Sequence, residues 1–283
     1  MKSRPGTRVA SATAHGKHGH SLISDAKFRQ LYELALKLQR VSGGASGDGA
    51  AWLREREAAL AGAVADLRAS DVVVAKYAAA VEDITRGRLA PGMDARSFEE
   101  RAIEALSDAV SDRLRKTGRI TAIFFDGRRS GILDEARALA VAAKLPVLFV
   151  EHPQRRGRAA AKGRKRAALE YPSIPVDIQD VIAMYRVAHE SIARAREGAG
   201  PTHIVGVRWK TAVSGRRKAA KAESQDAVEH LEEWLMARGL PAQQWRRELF
   251  TEFAAASGGQ SPGVENAAHG ALQEEDARTR AIA

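Results

Sequence analysis

The chain has 283 residues, of which 45% are hydrophobic and only 5% aromatic, so a core must consist mainly of Ala, Val, Leu and Ile. It contains no cysteine, which excludes disulfides, zinc-thiolate sites and cysteine nucleophiles and fits a reducing cytoplasm. The net charge of +10 favours a polyanion partner such as nucleic acid, or it reflects an Arg-rich composition without a specific partner. No apolar run approaches the roughly 20 residues of a membrane helix.

The N-terminal segment 1–20 is basic, rich in Gly, Ser and His, and lacks the apolar stretch of a signal peptide. We expect a disordered tail there. Its three histidines could bind a metal loosely, but a solvated tail is the simpler interpretation; they are His15, His18 and His20.

Helical spacing of apolar residues predicts four helices in the first part of the chain, over 21–41, 51–68, 72–86 and 94–116. The glycine-rich segment 42–49 between the first two is predicted to be a loop. The expected inner face of the fourth helix is Phe98, Ile103, Leu106, Val110 and Leu114.

After residue 118 the pattern changes to short apolar runs, typical of strands covered on both faces. The runs 120–125 and 147–150 flank a predicted helix over 131–144, which together make a βαβ unit. The expected inner face of that helix is Ile132, Leu133, Ala136, Leu139 and Ala140.

The remaining elements are a helix over 180–197, a third strand over 202–207, and two closing helices over 226–238 and 242–255. The sequence therefore predicts one α/β domain over 21–255 with a mainly parallel sheet and a helical N-terminal segment. Residues 256–283 are expected to be a second disordered tail.

The strongest candidate site is Asp126 with Gly127, directly after the first predicted strand. Ligands of open parallel sheets bind beyond the carboxyl ends of the strands. A carboxylate there suits Mg²⁺ bridging to a diphosphate, and a glycine allows the tight turn before a helix N-terminus. The alternative is an ordinary strand-to-helix turn capped by Asp126.

Two weaker candidates accompany it. Glu151, His152 and Gln154 follow the next strand and could add a metal or phosphate contact. The basic segment 155–166, which begins with Arg155 and ends with Arg166, could bind a polyanion, as could the basic segment 208–221. A solvated charged loop is the alternative for both, since aromatic residues for base stacking are nearly absent.

Several segments resemble the α subunit of the thiamine-diphosphate-dependent first component of 2-oxo-acid dehydrogenase complexes. Residues 175–187 read PVDIQDVIAMYRV and residues 193–205 read ARAREGAGPTHIV, like the family's Val-Asp-Gly-Asn-Asp, helix and Gly-Pro-Thr strand. Residues 121–127 read TAIFFDG and residues 144–150 read KLPVLFV, like its Phe-Gly-Asp-Gly and Leu-Pro-Val motifs. With weaker matches, the resemblance covers most of residues 25–240 in the family's order.

The resemblance implies the thiamine-diphosphate-binding fold, thiamine diphosphate and Mg²⁺ as cofactors, oxidoreductase activity on the oxo group of 2-oxo acids, and a β-type dehydrogenase subunit or a second copy as partner. It implies Asp126 and Gly127 as cofactor-binding residues, with Asp126 as a metal ligand. No catalytic residue of this chain is implied, because the family's activating glutamate belongs to the β subunit.

The departures from the family pattern predict a degenerate cofactor site. Phe125 stands where the family has a glycine, and the family's metal-binding Asn has no counterpart, since the only asparagine is Asn266. Gln154 falls near that Asn position and is the substitute we expect to bind the metal. The family's His-Arg-Gly-His segment and two of its loops are also replaced. Three hypotheses follow: an active α-type subunit, a non-catalytic relative or pseudoenzyme that pairs with itself or with a β-type subunit, and a basic polyanion-binding module.

Overall fold

The computed structural model describes residues 23–44, 53, 56–75, 97–127, 131–153, 171–208 and 226–256. Its helices are α1 (Asp25–Gly44), α2 (Glu57–Val64), α3 (Phe98–Arg115), α4 (Gly131–Ala142), α5 (Val181–Arg196), α6 (Ala227–Ala237) and α7 (Ala242–Ala256). Its strands are β1 (Val72–Val74), β2 (Thr121–Asp126), β3 (Val147–His152), β4 (Ser173–Asp177) and β5 (Thr202–Val207).

The five strands form one parallel sheet in the order β1-β2-β3-β5-β4. This confirms the predicted α/β class with a mainly parallel sheet. Strands β2 and β3 pair over their full lengths, and the register sets Asp126 beside His152 at their carboxyl ends. The strand that precedes the candidate site and the strand of the second candidate are therefore direct neighbours.

Helices cover both faces of the sheet. Five helices share one hydrophobic cluster with one face, namely α1, α2, α5, α6 and α7. Helices α3 and α4 share a second cluster with the opposite face. Strands β2, β3 and β5 are consequently buried on both sides, which is why their sequences are continuous apolar runs rather than alternating ones.

Helix α2 is buried on every side, and all eight of its residues are inaccessible. It consists mainly of Ala and Gly, which lets neighbouring helices approach closely. A Cβ added at Gly62 would lie 2.8 Å from the Cβ of Met184 and 2.8 Å from the backbone N of Tyr185 in α5. Glycine at this position is thus required by the contact between α2 and α5.

The predicted inner face of α3 is wrong in part. Ile103 is 52% exposed and Leu114 is 79% exposed, although Leu106 is buried as expected. The sheet-facing side is instead made of small residues, Ala102, Ala105 and Ala109. Alanines bring the helix axis close to the strands and rotate the larger side chains outward.

The same difference occurs in α4. Leu133, Ala136 and Ala140 are buried as predicted, whereas Ile132 is 39% exposed and Leu139 is 48% exposed. The apolar stripe of this helix is broader than the part that contacts the sheet, and helical periodicity alone did not show which of its residues are buried.

Two strands were missed from the sequence. The predicted helix over 72–86 is wrong at its start, because Val72–Val74 forms β1; β-branched residues in a row favour a strand beside β2. The rest of that prediction lies outside the described residues. Strand β4 contains Pro175 and lies at the sheet edge, the position where a strand tolerates proline.

A buried carboxylate ties the amino ends of the strands together. The Asp71 side chain is fully buried and accepts hydrogen bonds from the backbone N–H groups of Ile120, at 2.9 Å, and Arg68, at 2.6 Å. It also pairs with Arg196 at the end of α5. Asp71 is therefore a structural residue.

The predicted tail 1–20 and residues 257–283 of the second predicted tail lie outside the described residues, whereas Ala256 is the last residue of α7. The extent 21–255 of a single domain stays a prediction. Among the helices that the structure describes, none has the length and apolar character to cross a bilayer.

Candidate functional site

Asp126 is the last residue of β2, at the carboxyl edge of the parallel sheet where the sequence placed it. Its side chain is 38% exposed, so it is neither a core residue nor a fully solvated one. The neighbouring strand β3 ends beside it, at His152. The position thus meets the geometric requirement for a ligand beyond the strand ends.

The Asp126 carboxylate already has a cationic partner within the chain. Arg56, the residue before α2, directs its guanidinium Nη2 to Asp126 Oδ1. The Arg56 side chain is only 10% exposed because α2 is packed on the same face of the sheet. A guanidinium placed against one carboxylate oxygen provides the positive charge that a divalent cation would otherwise provide there.

Gly127 makes the turn after β2, and its backbone N–H donates to the carbonyl of His152 at 2.9 Å. That donor is therefore used within the protein. A Cβ added at Gly127 would lie 2.8 Å from Glu151 Oε1, so a larger residue here would displace the end of the Glu151 side chain. The turn joins the ends of β2 and β3.

Glu151 points to the opposite face of the sheet from Asp126. Its Oε2 lies 3.0 Å from His203 Nε2 and 3.9 Å from Arg137 Nη2 of α4. The Arg137 guanidinium also lies 4.6 Å from the centre of the Phe125 ring, and the His203 ring stacks on Phe125 at 5.9 Å. The Asp126 side chain lies on the face of the sheet that carries α2, and the Glu151 side chain lies on the face that carries α4. The two carboxylates therefore do not share a binding position.

His152 is buried, with 4% of its surface exposed, although it is the last residue of β3. It sits on the face of the sheet that carries α2, because side chains alternate along a strand and Glu151 faces α4. Gln154, the predicted second metal ligand, lies outside the described residues. The basic segment from Arg155 to Arg166 and residues 209–221 of the second basic segment lie outside them as well.

Asp177 is a further carboxylate at this edge, at the end of β4. Burial raises its pKa, and the neighbouring Asp180 raises it further, although the Gln179 N–H bond works in the other direction. Three strand spacings separate β2 from β4, or about 14 Å at ~4.8 Å per strand. Asp177 is too far from Asp126 to share an ion with it.

Across the residues that the structure describes, no group of three His, Cys, Asp or Glu side chains could hold a metal ion. Together with the Arg56 contact and the bonded Gly127 N–H, this means that the described residues alone do not fit a Mg²⁺-diphosphate site.

The sequence identified Asp126 and Glu151 as edge residues but not their partners. Arg56 is 70 residues from Asp126 in the chain, and nothing in its local pattern marks it as buried. One signal was available: Arg56 lies two residues before a run of small apolar residues that begins at Ala58, and a charged residue beside a fully buried helix must find a counter-charge.

Comparison with known proteins gives three curated relatives. The chain is 31% identical over 141 residues to the α subunit of acetoin:2,6-dichlorophenolindophenol oxidoreductase from Bacillus subtilis, covering 46% of this chain and 42% of that protein. It is 36% identical over 103 residues to the pyruvate dehydrogenase E1 component subunit alpha of Porphyra purpurea, covering 32% of this chain and 30% of that one. The corresponding subunit from Acholeplasma laidlawii is 33% identical over 107 residues, covering 34% of this chain and 31% of the relative.

No protein-family model matches the chain. Among solved structures, a transketolase mutant from Pichia stipitis aligns over 83% of this chain and 47% of that one, with a TM-score of 0.45 and 13% identity. The chain spans less than half the length of each curated relative it matches. These relatives agree with the resemblance stated from the sequence motifs: the chain is similar to a divergent, shortened dehydrogenase α subunit.

Proposed function

We propose that the protein is an α-type subunit related to the thiamine-diphosphate-dependent oxidoreductases of 2-oxo acids, with a degenerate cofactor site. In this proposal the isolated chain does not bind Mg²⁺ and thiamine diphosphate with useful affinity. It acts as a non-catalytic partner that keeps the α/β fold and pairs with a β-type subunit or with a second copy.

The observation that carries the proposal is the contact between Arg56 and Asp126. Asp126 is the residue that the resemblance assigns to the metal, and a guanidinium engages its carboxylate from a buried position. A divalent cation would have to displace Arg56 and leave that charge without this partner, which costs free energy in a desolvated place.

The Gly127 turn supports the same proposal. Its N–H donates to the His152 carbonyl rather than pointing outward. An incoming diphosphate would therefore meet one fewer backbone donor than a helix-leading turn can offer. Oxygen from Gln154 as a second metal ligand stays part of the hypothesis of an active subunit.

The relatives support the reaction class rather than a substrate. Their names specify an acetoin oxidoreductase and two pyruvate dehydrogenase subunits, all of them α subunits. Action on the oxo group of a 2-oxo acid, with a β-type subunit as partner, belongs to the alternative hypothesis of an active subunit. A cytoplasmic location is part of the proposal, since a chain without cysteine needs no oxidising compartment.

Calorimetry with thiamine diphosphate and Mg²⁺ tests the proposal. We expect no binding heat for the isolated chain at ligand concentrations of about 1 mM. At that concentration a site with a binding free energy of about 4 kcal/mol would be half filled. Saturable binding would support an active subunit, provided that Asp126→Asn abolishes it. Asp134→Asn is the matched control, because that carboxyl is exposed on α4 and pairs with Arg137 in the next turn.

A second measurement uses a β-type subunit, if one is encoded beside this chain's gene. Co-expression should yield a complex whose formation does not depend on the cofactor. Decarboxylation of a 2-oxo acid by that complex, lost in Asp126→Asn, would contradict the degenerate site. The polyanion-binding alternative stays a prediction of the two basic segments, and binding to DNA that falls steeply with salt would favour it.

A further inference from the structure

Helix α3 carries two large apolar side chains on its outer side that do not belong to the core. Ile103 is 52% exposed and Leu114 is 79% exposed. They lie eleven residues apart, which is three helical turns, so both project from one side of the helix. Between them stand Ser107, which is exposed, and Val110, which is half-buried and also packs against the cluster that α3 shares with the sheet.

The spacing of these four positions is that of a packing seam. The steps from Ile103 to Ser107, Val110 and Leu114 are four, three and four residues, as for the d and a positions of a coiled coil. The Ser107 hydroxyl donates to the carbonyl of Ile103 at 3.1 Å, so this polar member of the seam is satisfied within the helix. A row of this kind fits the side of another helix.

The charges on α3 are arranged for an antiparallel copy of itself. Glu99 and Glu100 occupy the first turn, and Arg113 and Arg115 occupy the last. Such charges also complement the helix dipole, but the dipole does not account for an exposed apolar stripe between them. Two copies running in opposite directions would bring each acidic end to the other's basic end.

The seam is self-complementary about its own midpoint. Rotation about a two-fold axis beside residues 108 and 109 brings Ile103 against Leu114 of the second copy and Ser107 against Val110 of the second copy. Glu104 then comes within two residues of Arg115 of the second copy, on the same flank of the helix. An isologous contact needs this kind of symmetry, in which one patch meets itself.

The neighbouring helix α4 also carries exposed apolar residues. Its exposed apolar residues, Ile132 and Leu139, are seven residues apart and so lie on one side of that helix. Of the exposed large hydrophobic residues in the described part of the chain, four of six belong to α3 and α4. Exposed apolar residues that are grouped on one part of a protein are typical of interaction sites.

We propose that the protein forms a two-fold dimer through α3, with the two α3 helices packed antiparallel along the Ile103–Leu114 seam. The proposal concerns the sheet face that carries α3 and α4, and it does not depend on cofactor binding at the carboxyl edge. A loss of thiamine diphosphate binding therefore says nothing about the dimer, and a monomeric protein says nothing about the cofactor.

Light scattering after size exclusion tests the dimer with the full chain between about 1 and 100 µM, where moderate affinity shifts populations by mass action. The wild type should change from monomer to dimer in this range, and Leu114→Glu should weaken the dimer at least about tenfold. Met236→Glu is the matched control, since Met236 is 39% exposed on α6, and it should leave the dimer unchanged. A monomer at all concentrations, or a dimer that tolerates Leu114→Glu, overturns the proposal.

Two further measurements fix the orientation. Glu104→Arg and Arg115→Glu should each weaken the dimer, and the double variant should restore it. Because the chain lacks cysteine, Ser107→Cys gives a single thiol near the two-fold axis and should form a cross-linked dimer under mild oxidation, whereas Thr251→Cys on α7 should not. The antiparallel arrangement would be overturned if the double variant did not restore the dimer and if the cysteines at 107 and 251 cross-linked equally. It would also be overturned if a β-type subunit occupied the same seam.

Discussion

A double-mutant cycle on Arg56 and Asp126 examines the contact on which the degenerate site depends. The variants are Arg56→Met, which keeps the aliphatic part of the side chain, Asp126→Asn, which keeps its shape, and the double variant. Urea unfolding at pH 7 gives the free energy of unfolding for each. The interaction energy is the part of the double-variant change that the two single changes do not explain.

The structure sets the expected size of that interaction energy. Fully buried ion pairs lose about 3–5 kcal/mol when one partner is removed, whereas exposed pairs contribute about 0.2–1 kcal/mol. Arg56 is nearly buried, but the Asp126 carboxylate is 38% exposed and partly screened by water. We therefore expect a coupling of about 1–2 kcal/mol, between those limits.

The refuting result is a coupling below about 0.5 kcal/mol, the level at which independent sites already deviate from additivity. Asp126 would then be available to a cation, and the main support for a degenerate site would be lost. A matched cycle on the exposed pair Arg29 and Glu248 should give the small value that the surface position implies.

Three other changes follow from contacts within the core. Gly62→Ala should destabilise the protein by about 1–3 kcal/mol, because the new methyl group would overlap Met184; an unchanged urea midpoint would contradict the close helix contact. Asp71→Ala should cost about 3–5 kcal/mol, since it removes a buried acceptor and counter-charge; a loss under about 1 kcal/mol would show that water replaces it. Burial favours a higher pKa for Asp66, but hydrogen bonds from Lys27 and then His189 hold it below its ordinary value. This stabilisation is complete above the ordinary pKa and is lost as the pH falls through the lowered pKa. Asp66→Asn should therefore have a lower free energy of unfolding in urea than the wild type at pH 7, and the difference should shrink below about pH 4. A difference that does not change with pH would contradict this prediction.

The sequence predicted the central strands and most helices because buried positions in them are occupied by apolar residues. Strands β2, β3 and β5 are covered on both faces, and their apolar runs showed this without knowledge of the partners. Strand β1 has only three residues, too few to reveal a period, and β4 is an edge strand interrupted by Pro175. These two strands were missed for the same reason: neither sequence contains a continuous apolar run long enough to indicate a buried strand.

The inner faces of α3 and α4 were harder to predict because hydrophobicity does not specify which apolar side chains contact the sheet. Alanines at 102, 105 and 109 are weakly hydrophobic, yet they form the contact because they allow a short helix-to-sheet distance. The larger Ile103 and Leu114 then fall outside it. An apolar residue on a helix is thus compatible with the core and with an interface.

The candidate site was predicted only as far as a strand end can be recognised. Asp126 follows an apolar run and a glycine follows it, so its place at the edge of the sheet was accessible from local pattern. Arg56 reaches it from a distant segment, and that proximity is created by the packing of α2. An ion pair between segments so far apart in the chain forms only when the helices pack on the sheet.

The complete enclosure of α2 limits how the Asp126 carboxylate can be released. Arg56 precedes this helix directly, and a helix enclosed by its neighbours cannot swing aside alone as a surface loop can. Separating the two charges by moving the helix would require the surrounding helical layer to open. Amide protons of α2 should consequently exchange with deuterium only through such large openings, at rates close to those of the central strands.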